Sequence, residues 1–336
     1  MIFPMRPVFP PPRIGRPAKT DDGRGKVAGP LRKSREEITG RVLENGNSLK
    51  MTDIRTILHQ ATLDIAASGS PSPRLDAEVL LMRYLGIDRL KLCMNPDREL
   101  TDRDSDGVAC WIERRVRGEP VSYIVGEKEF WSLRFEVGPG VLIPRPETEC
   151  LVEEVLRLFR PPGDGLRILD IGTGCGAIAV ALAGELPAAR IVATDVSPEA
   201  ISVARRNALA HGVADRMVLV QGDLLAAVSG DLDVICSNPP YIPEDRYEEL
   251  PRGIRDFEPR EALIAGADGL DVCGRIIREG FNHLKNGGRI FLEIGEGQRA
   301  PVEALFRETD GYQEIRFRED YGGIDRVASA QKKGER

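Results

Sequence analysis

No apolar run in the 336 residues approaches the roughly 20 that a membrane-spanning helix needs, so no transmembrane segment is expected. The opening residues, MIFPMRPVFPPPR, carry too many prolines for the apolar core of a secretion signal. The six cysteines, at 93, 110, 150, 175, 236 and 273, never form Cys-x-x-Cys, and no histidine cluster accompanies them. That argues against a zinc site and against a disulfide framework, and no metal is expected. Unpaired thiols suit a reducing compartment, which makes the cytoplasm the expected location. Histidine is scarce: His59, His211 and His283 all fall in predicted helices, so each reads as structural rather than as a catalytic base. No internal repeat is visible. What is present is ordinary for a globular chain, with 41 % hydrophobic and 30 % charged residues and enough length for two modest domains.

The net charge of −6 conceals an asymmetry: residues 1–50 carry +6 and the remainder −12. So acidic a body argues against broad nucleic-acid binding, and no direct nucleic-acid partner is expected. Residues 1–50 read as a disordered arm rich in proline and charge. Two readings of it stand side by side. In one, Met51 is the true start and the arm is not native. In the other, the arm is a basic interaction tail or a weak targeting peptide, although its five acidic residues count against a transit peptide.

Residues 51–118 read as a small helical domain. Ile54, Ile57, Leu58, Ala61 and Ile65 recur at helical spacing, and Leu75, Val79, Met82 and Leu85 form a second stripe. A third helix is predicted over 102–117, stopping at Gly118. Residues 119–148 hold two aromatic, alternating stretches broken by glycine and proline, the pattern of a β-hairpin and linker. Tyr123, Phe130, Trp131 and Phe135 there are expected mostly to pack on the domain junction rather than line a groove. From 149 to about 331, strands predicted at 167–171, 190–195, 217–223, 232–238 and 289–294 alternate with helices at 177–186, 197–211, 268–285 and 298–309. Alternation of this kind implies an α/β fold with a parallel sheet covered on both faces, and EIRFRED followed by DRVASAQ adds a closing hairpin.

The first of these strands runs into Asp170-Ile-Gly172-Thr173-Gly174-Cys175-Gly176 and then a helix. A glycine turn between strand and helix lets bare backbone approach a ligand at the carboxyl end of a sheet. The spacing is GxGxG, not the GxGxxG of dinucleotide enzymes. S-adenosylmethionine has no pyrophosphate, and its amino-acid end suits a carboxylate and backbone groups. Asp195 ends the second strand, 19 residues past Gly176, where a carboxylate can accept from both ribose hydroxyls. Its alternative role is to cap the next helix, which Ser197 suits better. Asp223 ends the third strand, where it either meets an adenine amino group or is a plain loop acid, and Leu224 beside it can only pack on the ring.

Ser237-Asn238-Pro239-Pro240-Tyr241 ends the fourth strand and is the most informative segment. Two prolines fix the backbone and remove two N–H donors, leaving carbonyls free as acceptors. With the Asn238 oxygen they can orient an NH₂ group and favour positive charge growing on its nitrogen as it attacks a methyl. Tyr241 offers a flat face to a planar group. Such a site methylates a planar, amide-like nitrogen without a dedicated general base.

The segments at 114–137, LIPRPETE (142–149), ILDIGTGCGAIA (168–179), SNPPYI (237–242), FEPREAL (257–263), GADGLDVCGRII (266–277) and LEIGEGQ (292–298) together resemble the release-factor glutamine methyltransferases, the PrmC/HemK family. The resemblance covers roughly 51–330, and pairing IPRPETE with NPPY is its specific mark. It implies a Rossmann-like, seven-stranded S-adenosylmethionine-dependent methyltransferase domain with a small N-terminal helical domain. It implies N5-methylation of the glutamine in the Gly-Gly-Gln motif of class 1 peptide-chain release factors. By carry-over, Gly172 to Gly176, Asp195 and Asn238 would contact the cofactor. Asn238, Pro239, Pro240 and Tyr241 would hold the glutamine amide, with Arg145 and Glu147 in support. Family members often carry an aromatic where this chain has Leu224, and the arm has no counterpart.

Three other activities share part of this pattern. An adenine-N6 methyltransferase shares NPPY but calls for a basic target-reading region, and no insert of that kind is evident. A cofactor-binding regulator has no need of an amide clamp. A nicotinamide dehydrogenase conflicts with the glycine spacing.

Overall fold

Asp53 caps the first helix, accepting from the Thr56 backbone N–H at 2.8 Å, and the helix buries Ile54, Ile57, Leu58, Ala61 and Ile65 along one side. The structure, a computed structural model, describes residues 53–159 and 165–334. The arm, residues 1–50, and both readings of it lie outside the described residues. The amino-terminal helices are α1 (Ile54–Ala67), α2 (Pro73–Leu85), α3 (Arg89–Met94) and α4 (Asp102–Val116). Proline opens α2, and Gly86, at φ +63°, closes it in the left-handed region that glycine tolerates.

The buried face of α2 differs from the predicted stripe. Leu75 is 53 % exposed, and Val79, Met82 and Leu85 are only partly covered. The core instead takes Ala77, Leu80 and Leu81. This orientation buries Asp76, whose carboxylate meets Arg115 Nε of α4 at 2.8 Å and Ser70 Oγ at 2.7 Å. Counting apolar positions could not anticipate an ion pair 39 residues apart in sequence. Leu80→Ala is therefore expected to lower the unfolding free energy by about 2–5 kcal/mol, the usual cost of a buried leucine. Leu75→Ala should stay within about 0.5 kcal/mol, as surface changes do. Urea unfolding of both variants checks this, and the reverse ranking would restore the predicted stripe.

Before the predicted hairpin the chain makes a short helix, α5 (Val121–Val125), which the alternation pattern hid. It straddles two cores: Ile124 joins the helical cluster and Tyr123 the larger one. The Tyr123 hydroxyl donates to the Val141 carbonyl at 2.5 Å. The hairpin follows as β1 (Glu127–Phe130) and β2 (Leu133–Glu136). Phe130 and Phe135 are fully buried, so the hairpin face packs inward as expected. Its two-residue turn is Trp131-Ser132, both at positive φ, the geometry that two-residue hairpin turns favour. Glu149 Oε1 accepts from the Trp131 backbone N–H at 2.7 Å and Glu185 Oε1 from its indole at 3.1 Å, which holds a turn with no glycine or asparagine.

A short 3₁₀ turn (Pro146–Thr148) leads into α6 (Glu149–Phe159). Beyond it come β3 (Arg167–Ile171), α7 (Ala177–Glu185), β4 (Arg190–Asp195), α8 (Pro198–Ala210), β5 (Met217–Gln221), β6 (Leu232–Ser237), α9 (Arg252–Arg255), α10 (Asp271–His283), β7 (Leu284–Glu293), α11 (Arg299–Glu308), β8 (Tyr312–Glu319) and β9 (Asp325–Lys332). Two strands depart from expectation at their ends. β5 stops at Gln221, two residues short, its pairing with β4 closed by the bond from Gly222 N to the Asp195 carbonyl at 3.0 Å. β7 begins five residues early, at Leu284, whose register partner is Leu232.

Among the described residues the main sheet has seven strands in the order β5-β4-β3-β6-β7-β9-β8. β5, β4, β3, β6 and β7 run parallel, and β9 is antiparallel to both of its neighbours. One face packs on α6, α7, α8 and the hairpin, the other on α10 and α11. From β3 the chain winds outward to β4 and β5, then returns to lay β6 on the other side of β3. In such sheets ligands sit outside the carboxyl ends of the strands, where the winding reverses.

Candidate active site

Ile171 and Ser237 are register partners in the parallel pair β3–β6. The glycine turn and the Asn-Pro-Pro-Tyr turn therefore leave the sheet side by side, at the same end. The Ser237 hydroxyl donates to the Ile171 carbonyl at 2.7 Å and ties the two exits together.

In the first turn Gly172, Gly174 and Gly176 all have positive φ, between +55° and +85°. A Cβ on Gly172 or Gly174 would meet nothing within 4 Å, so both face open space, whereas one on Gly176 would press on Ala204 Cβ of α8 at 3.2 Å. The first two glycines thus bare the backbone and the third lets a helix approach. Thr173 is buried, with its hydroxyl donating to Asp170 Oδ2 at 2.7 Å. Asp170 is fully buried, and its Oδ1 has no hydrogen-bond partner among the described residues. Burial pushes its carboxyl up to about 7, against the Thr173 hydrogen bond, which lowers it. Cys175 is buried too; burial raises its thiol to about 12, so it is an inert packing residue. Its carbonyl accepts from Asn207 Nδ2 at 2.8 Å, and the same amide exchanges hydrogen bonds with the Glu136 backbone. Asn207 so ties the hairpin to the glycine turn.

Asp195 stands at the end of β4, one oxygen accepting from Gly174 N and the other from Ser197 N, both at 2.9 Å. Burial raises its pKa and the Ser197 and Gly174 N–H groups oppose that. Ser197 itself caps α8, accepting from Ala200 N at 3.2 Å. Asp223 lies beyond the strand, exposed, in a two-pronged pair with Arg275 of α10 at 2.9 and 3.2 Å. Leu224 follows at φ +49°, its carbonyl accepting from the Thr194 hydroxyl at 3.1 Å and its side chain leaning on the second core. The turns bring Asp195 against Gly174; Asp223 is held outward by Arg275.

On the second turn Pro239 is buried and Asn238, Pro240 and Tyr241 are half-buried. Asn238 Nδ2 donates to Thr148 Oγ1 at 3.2 Å, and Thr148 Oγ1 donates to Glu293 Oε2 at 2.6 Å. Glu293, at the end of β7, is 2 % exposed, and burial pushes it up to about 7 against the Thr148 bond. Burial also raises the Tyr241 hydroxyl to about 12, leaving it protonated at neutral pH. Gln298 bolts the turn down, donating to the Tyr241 carbonyl at 3.0 Å and the Gly269 carbonyl at 3.2 Å while accepting from Gly295 N at 2.9 Å.

Asn238 and Tyr241 border a cavity of about 110 Å³ whose other walls include Leu142, Arg145, Ile254 and Leu263. Arg145 reaches across to Glu258, at 2.6 Å, and the other Glu258 oxygen accepts from Ile143 N at 3.1 Å. Glu147 is exposed beside them. A larger hollow of about 490 Å³ lies by Tyr312, at the amino end of β8 and away from both turns.

Thr148, Glu293, Gln298, Glu258 and Asn207 were not singled out from sequence. One signal was available: Glu293 is a lone acid at the end of an apolar run, RIFLE, as Asp170 is in RILD. Their partners lie far off in the chain, 145 residues away for Thr148 and Glu293.

Residues 56–126 match the PrmC N-terminal domain model and 148–249 the methyltransferase small domain model. The release factor glutamine methyltransferase of Rhodopirellula baltica is 38 % identical over 296 residues, covering 86 % of this chain and 99 % of that protein. That of Moorella thermoacetica is 42 % identical over 283 residues, covering 84 % and 99 %. The chain belongs to the release factor glutamine methyltransferases. Among solved structures, the release factor-specific protein-(glutamine-N5) methyltransferase of Alicyclobacillus acidocaldarius is 32 % identical, covers 60 % of this chain and 100 % of its own, and has a TM-score of 0.37.

As a member of this methyltransferase family the protein is an enzyme, and S-adenosylmethionine is its methyl donor. The carboxyl-end crevice fits that group: Gly172 and Gly174 face open space, and the fully buried Asp170 just before them keeps one carboxylate oxygen without a hydrogen-bond partner among the described residues.

Proposed function

We propose that the protein methylates the side-chain amide nitrogen, N5, of the glutamine in the Gly-Gly-Gln motif of class 1 peptide-chain release factors, in the cytoplasm, in support of translation termination. One observation carries this reading. The NPPY turn leaves the sheet in register with the glycine turn, with an apolar slot at its side.

The glycine turn, Asp170 and Asp195 would hold S-adenosylmethionine, which supplies an electrophilic sulfonium methyl. The remaining work belongs to the chain. Asn238 Oδ1 and a carbonyl freed by the prolines accept the two N–H bonds of the incoming amide. Those acceptors orient the nitrogen and stabilise positive charge as it grows there. Tyr241 covers the flat face, and Leu142, Ile254 and Leu263 exclude water. The departing proton becomes acidic as the N–C bond forms, so no side chain need remove it beforehand. The half-buried Asn238 makes the alignment rigid, and near-attack positioning is a large part of such a rate.

A labelled-methyl transfer assay tests the proposal with three acceptors: a release factor, its glutamine-to-alanine variant and DNA. Label is expected on the first alone. Label on DNA would favour the adenine-N6 reading, and label on the alanine variant would remove the glutamine. The −12 charge of residues 51–336 supports a protein acceptor over nucleic acid.

A further inference from the structure

Hydroxyl and carboxamide groups have two ends, and a site that depends on an asparagine oxygen must decide which end faces the substrate. Here the decision is made behind the turn. We propose that Thr148 and Glu293 are positioning residues that set the orientation of the Asn238 carboxamide, a role that rests on the amide-methylating reading of this site.

Ionised Glu293 only accepts, so it takes the single proton of Thr148 Oγ1, at 2.6 Å. Thr148 Oγ1 then has only lone pairs to offer Asn238, and the atom facing it at 3.2 Å must be the donor, Nδ2. Asn238 Oδ1 is thereby turned the other way. A flipped amide would set two acceptors against each other in a buried place, which is unfavourable. The relay sits in rigid surroundings. Thr148 is 3 % exposed at the end of the 3₁₀ turn, its backbone N–H bonded to the Arg145 carbonyl at 3.1 Å, and Glu293 ends a central strand. The IPRPETE segment therefore acts on the NPPY turn through its threonine.

The same polarity makes orientation depend on the charge of Glu293. A protonated Glu293 can itself donate to Thr148, freeing the threonine proton to point at Asn238, so the flipped amide becomes acceptable. The charged and titratable groups around Glu293 are Arg326 on β9, Glu147 and Arg145 by the 3₁₀ turn, Tyr241 on the NPPY turn and Cys150 on α6. With burial they leave its pKa at about 7. Wild-type kcat should then fall as pH drops below that value.

Thr148→Val, Thr148→Ser and Glu293→Gln test the relay, with release factor as acceptor, kcat and KM measured from pH 5.5 to 8.5, and S-adenosylmethionine affinity measured alongside. Thr148→Val is expected to lower kcat about tenfold or more, the scale of a lost positioning contact, with KM and cofactor affinity within about twofold. Thr148→Ser keeps the hydroxyl and should restore most of kcat even if the valine variant folds poorly. Glu293→Gln should lower kcat and flatten its acid limb. A wild type with no transfer to release factor would overturn the substrate reading and the relay with it. An active wild type alongside Thr148→Val and Glu293→Gln variants of unchanged kcat and pH profile would overturn the relay alone.

Discussion

Asn238→Ala is expected to lower kcat by about 10²–10³, the cost of removing one preorganised polar contact to a developing charge. Cofactor affinity should fall far less, because the glycine turn and Asp195 stand on separate elements, β3 and β4. The physical reason is the weakness of an amide as a nucleophile. Its lone pair is delocalised, and attack succeeds only where acceptors hold both N–H bonds and share the positive charge. Alanine leaves one acceptor, the turn carbonyl, and frees the bound amide to rotate. Asn238→Asp separates two effects: it retains an acceptor oxygen but loses the Nδ2 donor that meets Thr148 at 3.2 Å. Turnover kinetics beside calorimetric titration with the cofactor checks the split, and equal losses in both would mean that the side chain serves the cofactor alone.

Asp170→Asn should make the protein more stable above neutral pH while weakening cofactor binding. Asp170 is fully buried, and burial moves its carboxyl from 3.8 to about 7. The folded chain therefore keeps the proton where the unfolded chain has released it. Stability from this group is complete below about pH 4, declines as pH rises and is lost above about 7. Burying the charge at pH 8 thus costs on the order of 4 kcal/mol, which asparagine avoids while still accepting from Thr173. The variant's melting temperature should exceed wild type by several degrees at pH 8.5, with the difference shrinking as pH falls and vanishing only below about pH 4. A difference that does not change with pH would contradict this account. A charge kept at such a cost at the start of the open glycine turn fits a functional carboxylate better than a structural one.

The strand–glycine–helix unit at 167–186, the NPPY turn and the alternation that makes an α/β sheet are all written in local sequence, because each depends on backbone preferences or on periodicity within a few residues. Family membership was legible for the same reason: IPRPETE and NPPY are short and contiguous. Local pattern does not specify partners. It placed the wrong stripe of α2 in the core, where Ala77, Leu80 and Leu81 pack and Asp76 pairs with Arg115, 39 residues away. It missed α5, and it left Thr148, Glu293, Gln298 and Glu258 as unremarkable letters within recognised segments. Only the tertiary structure sets Ile171 beside Ser237, Thr148 between Asn238 and Glu293, and Arg275 against Asp223. Periodicity reports which residues avoid water, whereas hydrogen bonds and ion pairs join groups whose separation along the chain carries no information until the sheet has formed.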